Sequence, residues 1–183
     1  MSTIRALRPS APRVTPEADA LPRDLDDAYR KYCRYVASVC LRISGRRSEL
    51  EDLIQEVFAE AASSFKALRE PEAMRGWLAT IAVRVTRKRL FRRRLYGLFG
   101  LGSSAEYEAL PDLGASPYDR LLLSTIYRAL DELAPDDRIA FVLHHIEGET
   151  LDSVARLAGC SITTAKRRIF RAKSALERRL SSD

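Results

Sequence analysis

Three cysteines in 183 residues, Cys33, Cys40 and Cys160, are too few and too odd in number for a disulfide framework, and they lack the short paired spacing of a metal site. Cys33 and Cys40 fall seven residues apart on the apolar side of one helical pattern, which points to burial. The only histidines, His144 and His145, are adjacent; on a helix they point about 100° apart, a poor geometry for a shared metal ion. No glycine-rich phosphate loop, activated nucleophile or paired carboxylates can be found, so the sequence implies no cofactor, no small-molecule substrate and no catalysis. No apolar run is long enough to span a bilayer, and the N-terminus lacks the apolar stretch of a secretory signal. No membrane insertion and a cytoplasmic location are therefore expected. Sustained two-residue alternation is missing too, which excludes an extensive sheet and leaves an all-α chain.

What the chain has in excess is positive charge, and its placement matters more than its amount. Lys and Arg number 31 against 25 Asp and Glu, a net charge of +6 that suits a polyanionic partner. The charge is segregated. One basic block runs from Arg84 to Arg94 and another from Lys166 to Arg179, whereas residues 97–119 contain Glu106, Glu108, Asp112 and Asp119 and no Lys or Arg.

Proline and glycine mark the boundaries. Pro9, Pro12, Pro16 and Pro22 stand in an aperiodic stretch, so residues 1–23 read as a flexible tail; Gly97, Gly100, Gly102, Pro111 and Gly114 mark residues 96–116 as a flexible linker. Between them lies one helical domain, 24–95. Leu25 to Ser44 carries a helical stripe through Ala28, Tyr29, Tyr32, Cys33, Val36, Val39, Cys40 and Ile43, with Gly45 placed to end it. Ser48 and Glu51 form a capping-box pattern for a second helix, with Leu50, Leu53, Ile54, Val57, Phe58, Ala61 and Phe65 inward. Its other side is acidic, with Glu49, Asp52, Glu56 and Glu60 beside Gln55. Such a face repels DNA; it either keeps the domain soluble or meets a basic protein partner.

Pro71 suits the start of a third helix with Met74, Trp77, Leu78, Ile81, Ala82 and Val85 inward. Past Val85 cations surround the axis, so this end is expected to project beyond the core. The preceding loop, Lys66 to Arg75, brings cations close to Phe65 and Trp77. That combination is what single-stranded DNA uses, although Trp77 itself lies on the core stripe.

The second domain, 117–183, opens at Pro117 with a stripe of Leu121, Leu122, Ile126, Leu130 and Leu133, followed by a helix from Pro135 to Glu147 with Ile139, Val142, Leu143 and Ile146 inward and Gly148 as its stop. Thr150 then caps a short helix that buries Leu151, Val154, Ala155 and Ala158; Gly159 and Cys160 turn the chain, and Ser161 begins the last helix. This is a helix-turn-helix. Ile162, Ala165, Ile169, Ala172, Leu176 and Leu180 form its inner stripe, while Thr163, Arg167, Phe170, Arg171 and Ser174 lie opposite, with Lys166 beside them. An aromatic ring on a basic outer face suits the major groove, where it can meet a thymine methyl while arginines reach guanine or phosphate.

The segments Leu50–Phe58 (LEDLIQEVF), Trp77-Leu78 with Ile81-Ala82, Ala129–Leu133 (ALDEL) and Thr164–Ala172 (TAKRRIFRA) resemble, in order and spacing, the extracytoplasmic-function group of sigma-70-type sigma factors. The resemblance covers nearly everything from Leu25 to Leu180. It implies a transcription initiation factor with two helical domains, region two and region four, joined by a linker. Implied partners are promoter DNA, core RNA polymerase through its clamp coiled coil and flap, and an anti-sigma factor. By resemblance Asp52, Gln55 and Glu56 bind polymerase. Lys66, Arg69, Arg75, Trp77, Arg84, Arg87 and Lys88 take the minus-ten element; Thr163, Lys166, Arg167, Phe170 and Arg171 read the minus-thirty-five element. The chain departs from the family in having Arg84 and Lys88 where Asn and Asp are frequent, and Arg167 where a small residue is frequent. The alternative is a stand-alone helix-turn-helix regulator, which leaves the acidic helix unexplained.

Overall fold

A computed structural model describes residue 22 and residues 24–65, 71–98 and 117–180, and among these it contains seven α-helices and no strand. The expectations for the N-terminal tail, for Lys66 and Arg69, and for the connection after residue 98 lie outside the described residues.

Helix α1 (Leu25–Ser44) begins where Asp24 Oδ1 accepts from the Asp27 N–H at 2.8 Å, and it ends at Gly45, which adopts a φ of 68° while donating to the Leu41 carbonyl. Helix α2 (Leu50–Ser64) starts differently from the capping box expected at Ser48. A 3₁₀ turn over Arg47–Glu49 leads into it, and neither turn nor helix has a side-chain cap. Ser48 is exposed within that turn, and Glu49 reaches Arg93 at 2.8 Å. The α2 stripe is as expected: Leu53, Val57, Phe58 and Ala61 are buried.

Helix α3 (Met74–Leu98) follows a 3₁₀ turn at Pro71–Ala73. Met74, Leu78, Ile81, Ala82 and Val85 are buried as expected, and Trp77 is half-buried. A second buried stripe, Ala79, Val83, Thr86 and Leu90, recurs at steps of four, three and four residues. With two apolar sides, α3 packs against α1 and α2 and also against α5 and α6. The basic end therefore does not stand clear of the core. Leu90 is buried and Arg89 and Arg93 are largely covered by acidic partners, while Phe91, Leu95 and Tyr96 reach solvent.

Pro117 opens α4 (Pro117–Asp131) and Pro135 opens α5 (Pro135–Phe141). The helix expected to continue to Glu147 changes to a π turn over Val142–Ile146, then stops before Gly148, whose φ is 73°. Thr150 Oγ1 caps α6 (Leu151–Ala158) by accepting from the Ser153 N–H at 3.2 Å, and Gly159 closes it with a φ of 62°. On α7 (Ile162–Leu180), Ala165, Ile169, Ala172 and Leu176 are buried. Ile162 is not, contrary to the sequence stripe; as the first residue of α7 it lies beyond the packed segment and is 42% exposed.

The unit formed by α1–α3 and the unit formed by α4–α7 share one continuous core. Arg138 of α5 is fully buried at their junction. Its Nε donates to the Ile43 carbonyl at 2.7 Å, Nη2 donates to the Ser44 carbonyl at 2.8 Å, and Nη1 meets Asp131. It thus supplies the donors that the last turn of α1 lacks. Gly45 makes this approach possible, because a Cβ there would lie 2.4 Å from a Tyr127 ring carbon.

Leu78 is fully buried, so Leu78→Ala should lower the unfolding free energy by about 2–5 kcal/mol, measured by urea denaturation. A second expectation concerns acid. His145 lies against Phe141 and His144, with ring centroids 4.7 and 4.9 Å away, and its Nε2 has no hydrogen-bond partner among the described residues. Burial, then the neighbouring His144 and Lys173, push its pKa below the ordinary value. The unfolded chain protonates this ring near pH ~6.5 while the folded chain holds it neutral, so stability should fall as pH drops through that value. His145→Gln should flatten this part of a melting-temperature profile measured between about pH 7.5 and 5.5.

Candidate nucleic-acid interface

The turn between α6 and α7 is held by short-range bonds. Ser161 Oγ accepts from the Thr164 N–H at 3.2 Å and lies 2.9 Å from Thr164 Oγ1, which fixes the first turn of α7. With one side of α7 buried, Thr163, Lys166, Arg167 and Phe170 share its exposed side. Phe170 is 70% exposed, the most of any large apolar residue described.

The cations of α7 separate into two sets. Lys166 and Arg167 have no acidic partner among the described residues, whereas Arg168 Nη2 donates to Asp136 Oδ2 at 2.6 Å. Arg171 makes a forked pair with Asp137, Nε at 3.0 Å and Nη2 at 2.5 Å, and this hydrogen bond raises its pKa above the ordinary arginine value. Arg171 remains half-exposed, so its fork is fixed in direction yet reachable from solvent. Asp136 and Asp137, acids in the first turn of α5, have no role in the sequence reading. Their partners lie 32 and 34 residues further on, and no local signal pairs them.

The residues assigned to the minus-ten element are brought together only in part. Arg84 contacts Glu60, and Lys88, one turn along, lies 3.9 Å from the same carboxylate. Both are exposed. Near the start of α3, the Arg75 guanidinium lies 4.3 Å from the centre of the Tyr35 ring, and Trp77 packs edge-on against Phe65 at 6.4 Å. Arg87 is turned elsewhere: Nη2 donates to the Ala158 carbonyl of α6 at 2.5 Å, and Nε lies 3.1 Å from Asp136.

The acidic side of α2 is narrower than its sequence. Glu49 is covered by Arg93 and Arg46, and Glu60 is engaged by α3. Asp52, 68% exposed on its side chain, remains beside exposed Gln55 and half-exposed Glu56. Arg89, one of the cations around α3 to which the sequence reading gives no site role, sits behind them at 3.8 Å from Asp52 and 4.0 Å from Glu56. At such distances the pairs are loose and leave both carboxylates free to exchange partners. Cys40 takes no part in any surface chemistry; burial pushes its thiol pKa up to about 11. Neither an adequate metal cluster nor a membrane-length apolar helix occurs among the described residues.

A family model for sigma-70 region 2 matches residues 28–96, and one for sigma-70 region 4 matches residues 123–176. The sequence is 28% identical over 167 residues to the ECF RNA polymerase sigma factor SigE of Mycolicibacterium smegmatis, covering 89% of this chain and 63% of SigE. It is 27% identical over 168 residues to the RNA polymerase sigma-H factor of Pseudomonas aeruginosa, covering 86% of each, and 27% identical over 161 residues to the ECF RNA polymerase sigma-E factor of Escherichia coli, covering 82% of this chain and 83% of that one. The fold is similar to that of sigma factor RpoE from Bartonella quintana in its complex with the anti-sigma factor NepR, with a TM-score of 0.66, 21% identity and coverage of 88% of this chain and 99% of that one. It is also similar to CnrH in complex with the cytosolic domain of CnrY, with a TM-score of 0.59, 20% identity and coverage of 87% and 88%. The two family models in chain order, the curated relatives and the seven-helix architecture together place this chain in the extracytoplasmic-function group of the sigma-70 family, the factors that direct RNA polymerase to promoters.

Proposed function

We propose that residues 24–95 join core RNA polymerase and hold the minus-ten element, while residues 117–183 read the minus-thirty-five element. The carrying observation is Phe170, exposed at 70% on the same side of α7 as Lys166 and Arg167, which have no acidic partner among the described residues. A side that only needs solubility gains nothing from an exposed ring, whereas a major-groove helix can use it against a thymine methyl. Thr163 and Arg171 complete this reading face. Arg75, Trp77, Arg84 and Lys88, with Lys66 and Arg69 of the preceding loop, take the minus-ten strand, and Arg87 joins them once released from α6.

Asp52, Gln55 and Glu56 form the contact with the clamp coiled coil, and region four meets the flap. An anti-sigma factor is a further partner, as it is for RpoE of Bartonella quintana. The protein works in the cytoplasm and catalyses nothing itself; promoter opening is driven by binding. Unstacking a base costs a few kcal/mol, stacking it on a ring returns roughly 1–3 kcal/mol, and phosphate contacts add salt-sensitive attraction. These terms nearly balance, so the isolated chain melts DNA poorly, and polymerase supplies the remaining contacts.

Phe170→Ala should weaken minus-thirty-five binding by about 1–3 kcal/mol, as expected for a base contact, and Lys166→Ala should reduce the slope of log affinity against log salt by about 1. Promoter binding by reconstituted holoenzyme at several salt concentrations measures both; unaltered binding would remove α7 as the reader. Asp52→Lys reverses a charge on an exposed side and should abolish co-purification with core polymerase while leaving the melting temperature within a few degrees. Normal assembly by that variant would exclude the α2 contact.

A further inference from the structure

We infer that the arginine-lined cleft between the last turns of α3 and the α4–α5 turn is a binding site for a nucleoside polyphosphate. The cleft has a volume of about 680 Å³, within the range of small-ligand sites. Its walls come from residues between Arg89 and Gly97 of α3, from Arg46 and Glu49 before α2, and from the turn between Asp131 and Arg138. None of the residues assigned above to polymerase or to promoter DNA lines it.

Its charge is unbalanced. Six arginines, Arg46, Arg89, Arg92, Arg93, Arg94 and Arg138, share the cleft with three acids, Glu49, Asp131 and Glu132. Glu132 is engaged by Arg179 of α7 at 2.8 Å. The other two acids are each shared. Arg93 lies 2.8 Å from Glu49 and 3.4 Å from Asp131, Arg46 lies 3.9 Å and 3.4 Å from the same two groups, and Arg138 also meets Asp131. Two carboxylates thus serve three guanidiniums. Donors are in surplus as well, since the buried Nε groups of Arg46 and Arg93 have no hydrogen-bond partner among the described residues. Burial pushes the Arg93 pKa below the ordinary arginine value; Glu49 and Asp131 oppose that shift, while Arg46 and Arg138 add to it. At the mouth, Arg92 and Arg94 are exposed and have no acidic partner among the described residues. Arg94 Nη1 donates to the Leu133 carbonyl at 3.1 Å, which satisfies one donor and leaves the charge uncompensated.

Shape and composition select the ligand. The Arg46 and Arg93 side chains are only 14% and 16% exposed, so the inner cations lie deeper than Arg92 and Arg94. The phosphates of a duplex follow a convex surface and meet the outer pair alone. A short chain of linked phosphates enters the cleft instead and brings several anionic oxygens to guanidinium forks, the pairing for which arginine is best suited. Tyr96 follows Arg92 by four residues and so shares its side of α3; its ring, 54% exposed, offers a surface on which a base stacks. Phosphates held by arginines with an aromatic ring beside them are the two halves of a nucleotide site.

The full chain, titrated by calorimetry with ATP, GTP and inorganic triphosphate in magnesium-free buffer at fixed ionic strength, tests this. The wild type should bind ATP or GTP saturably at millimolar concentrations or below and melt at a higher temperature in its presence. Arg92→Gln with Arg94→Gln should weaken every one of these ligands at least about tenfold. Tyr96→Leu should weaken the nucleotide roughly fivefold and leave inorganic triphosphate unchanged. The pair Arg30→Gln with Arg34→Gln removes as much charge from exposed positions on α1 and should leave binding unaltered. Should the double variant at the mouth melt early without ligand, Arg92→Gln alone, which breaks no ion pair among the described residues, repeats the comparison. A wild type that binds none of the probes, or equal losses in the α1 and α3 variants, would overturn the site. Nucleotides that bind no tighter than inorganic triphosphate, with Tyr96→Leu silent, would overturn the nucleoside assignment.

Discussion

The buried guanidinium of Arg138 is the constraint around which the rest is arranged. A helix leaves its final carbonyls without intrahelical donors, and the end of α1 lies inside the molecule, where water cannot supply them. Arg138 meets that need, and Asp131 supplies the countercharge. Burial pushes the Arg138 pKa down and Asp131 opposes the shift, a balance that keeps the group charged because arginine starts from so high a value. Truncating one partner of such a buried pair costs about 3–5 kcal/mol. Gly45 follows from the same geometry, since both the left-handed turn after α1 and the approach of Tyr127 require a residue without a Cβ.

Around that junction the abundant charge is divided between internal and external duties. Arg46, Arg87, Arg89, Arg93, Arg138 and Arg168 are all directed toward carboxylates of this same chain. Lys166 and Arg167 meet none among the described residues. The acidic residues divide in the same way, with Glu49, Asp131, Asp136 and Asp137 used inside and Asp52 left outward. A net charge of +6 therefore understates how local the outward signals are: one small acidic shoulder on α2 and one basic, aromatic face on α7.

Much of this could be read in the residues. The three- and four-residue periodicity of α1, α2 and α7 predicts most of their buried sides, although Tyr29 of the α1 stripe is exposed, and Gly45, Thr150, Gly159 and Ser161 mark helix ends because capping depends on neighbours within one turn. Phe170 is legible as a surface residue for the same reason. Misreadings arise where a distant partner competes with a local one. Ser48 presents a capping-box pattern, yet the chain enters α2 through a 3₁₀ turn in which Glu49 is drawn to Arg93. Arg87 looks like one more outward cation on α3, but an α6 carbonyl 71 residues away takes it.

Sequence alone was enough for the all-α class, the helix ends, the helix-turn-helix and the family, since each depends on short-range periodicity or on a motif carried by contiguous residues. Tertiary structure alone decided which cations stay free, why α3 carries a second apolar stripe, and that the two units share one core. Those outcomes depend on electrostatic and apolar contacts between segments far apart in the chain, and no one-dimensional pattern encodes which of several available carboxylates or carbonyls a given arginine will meet.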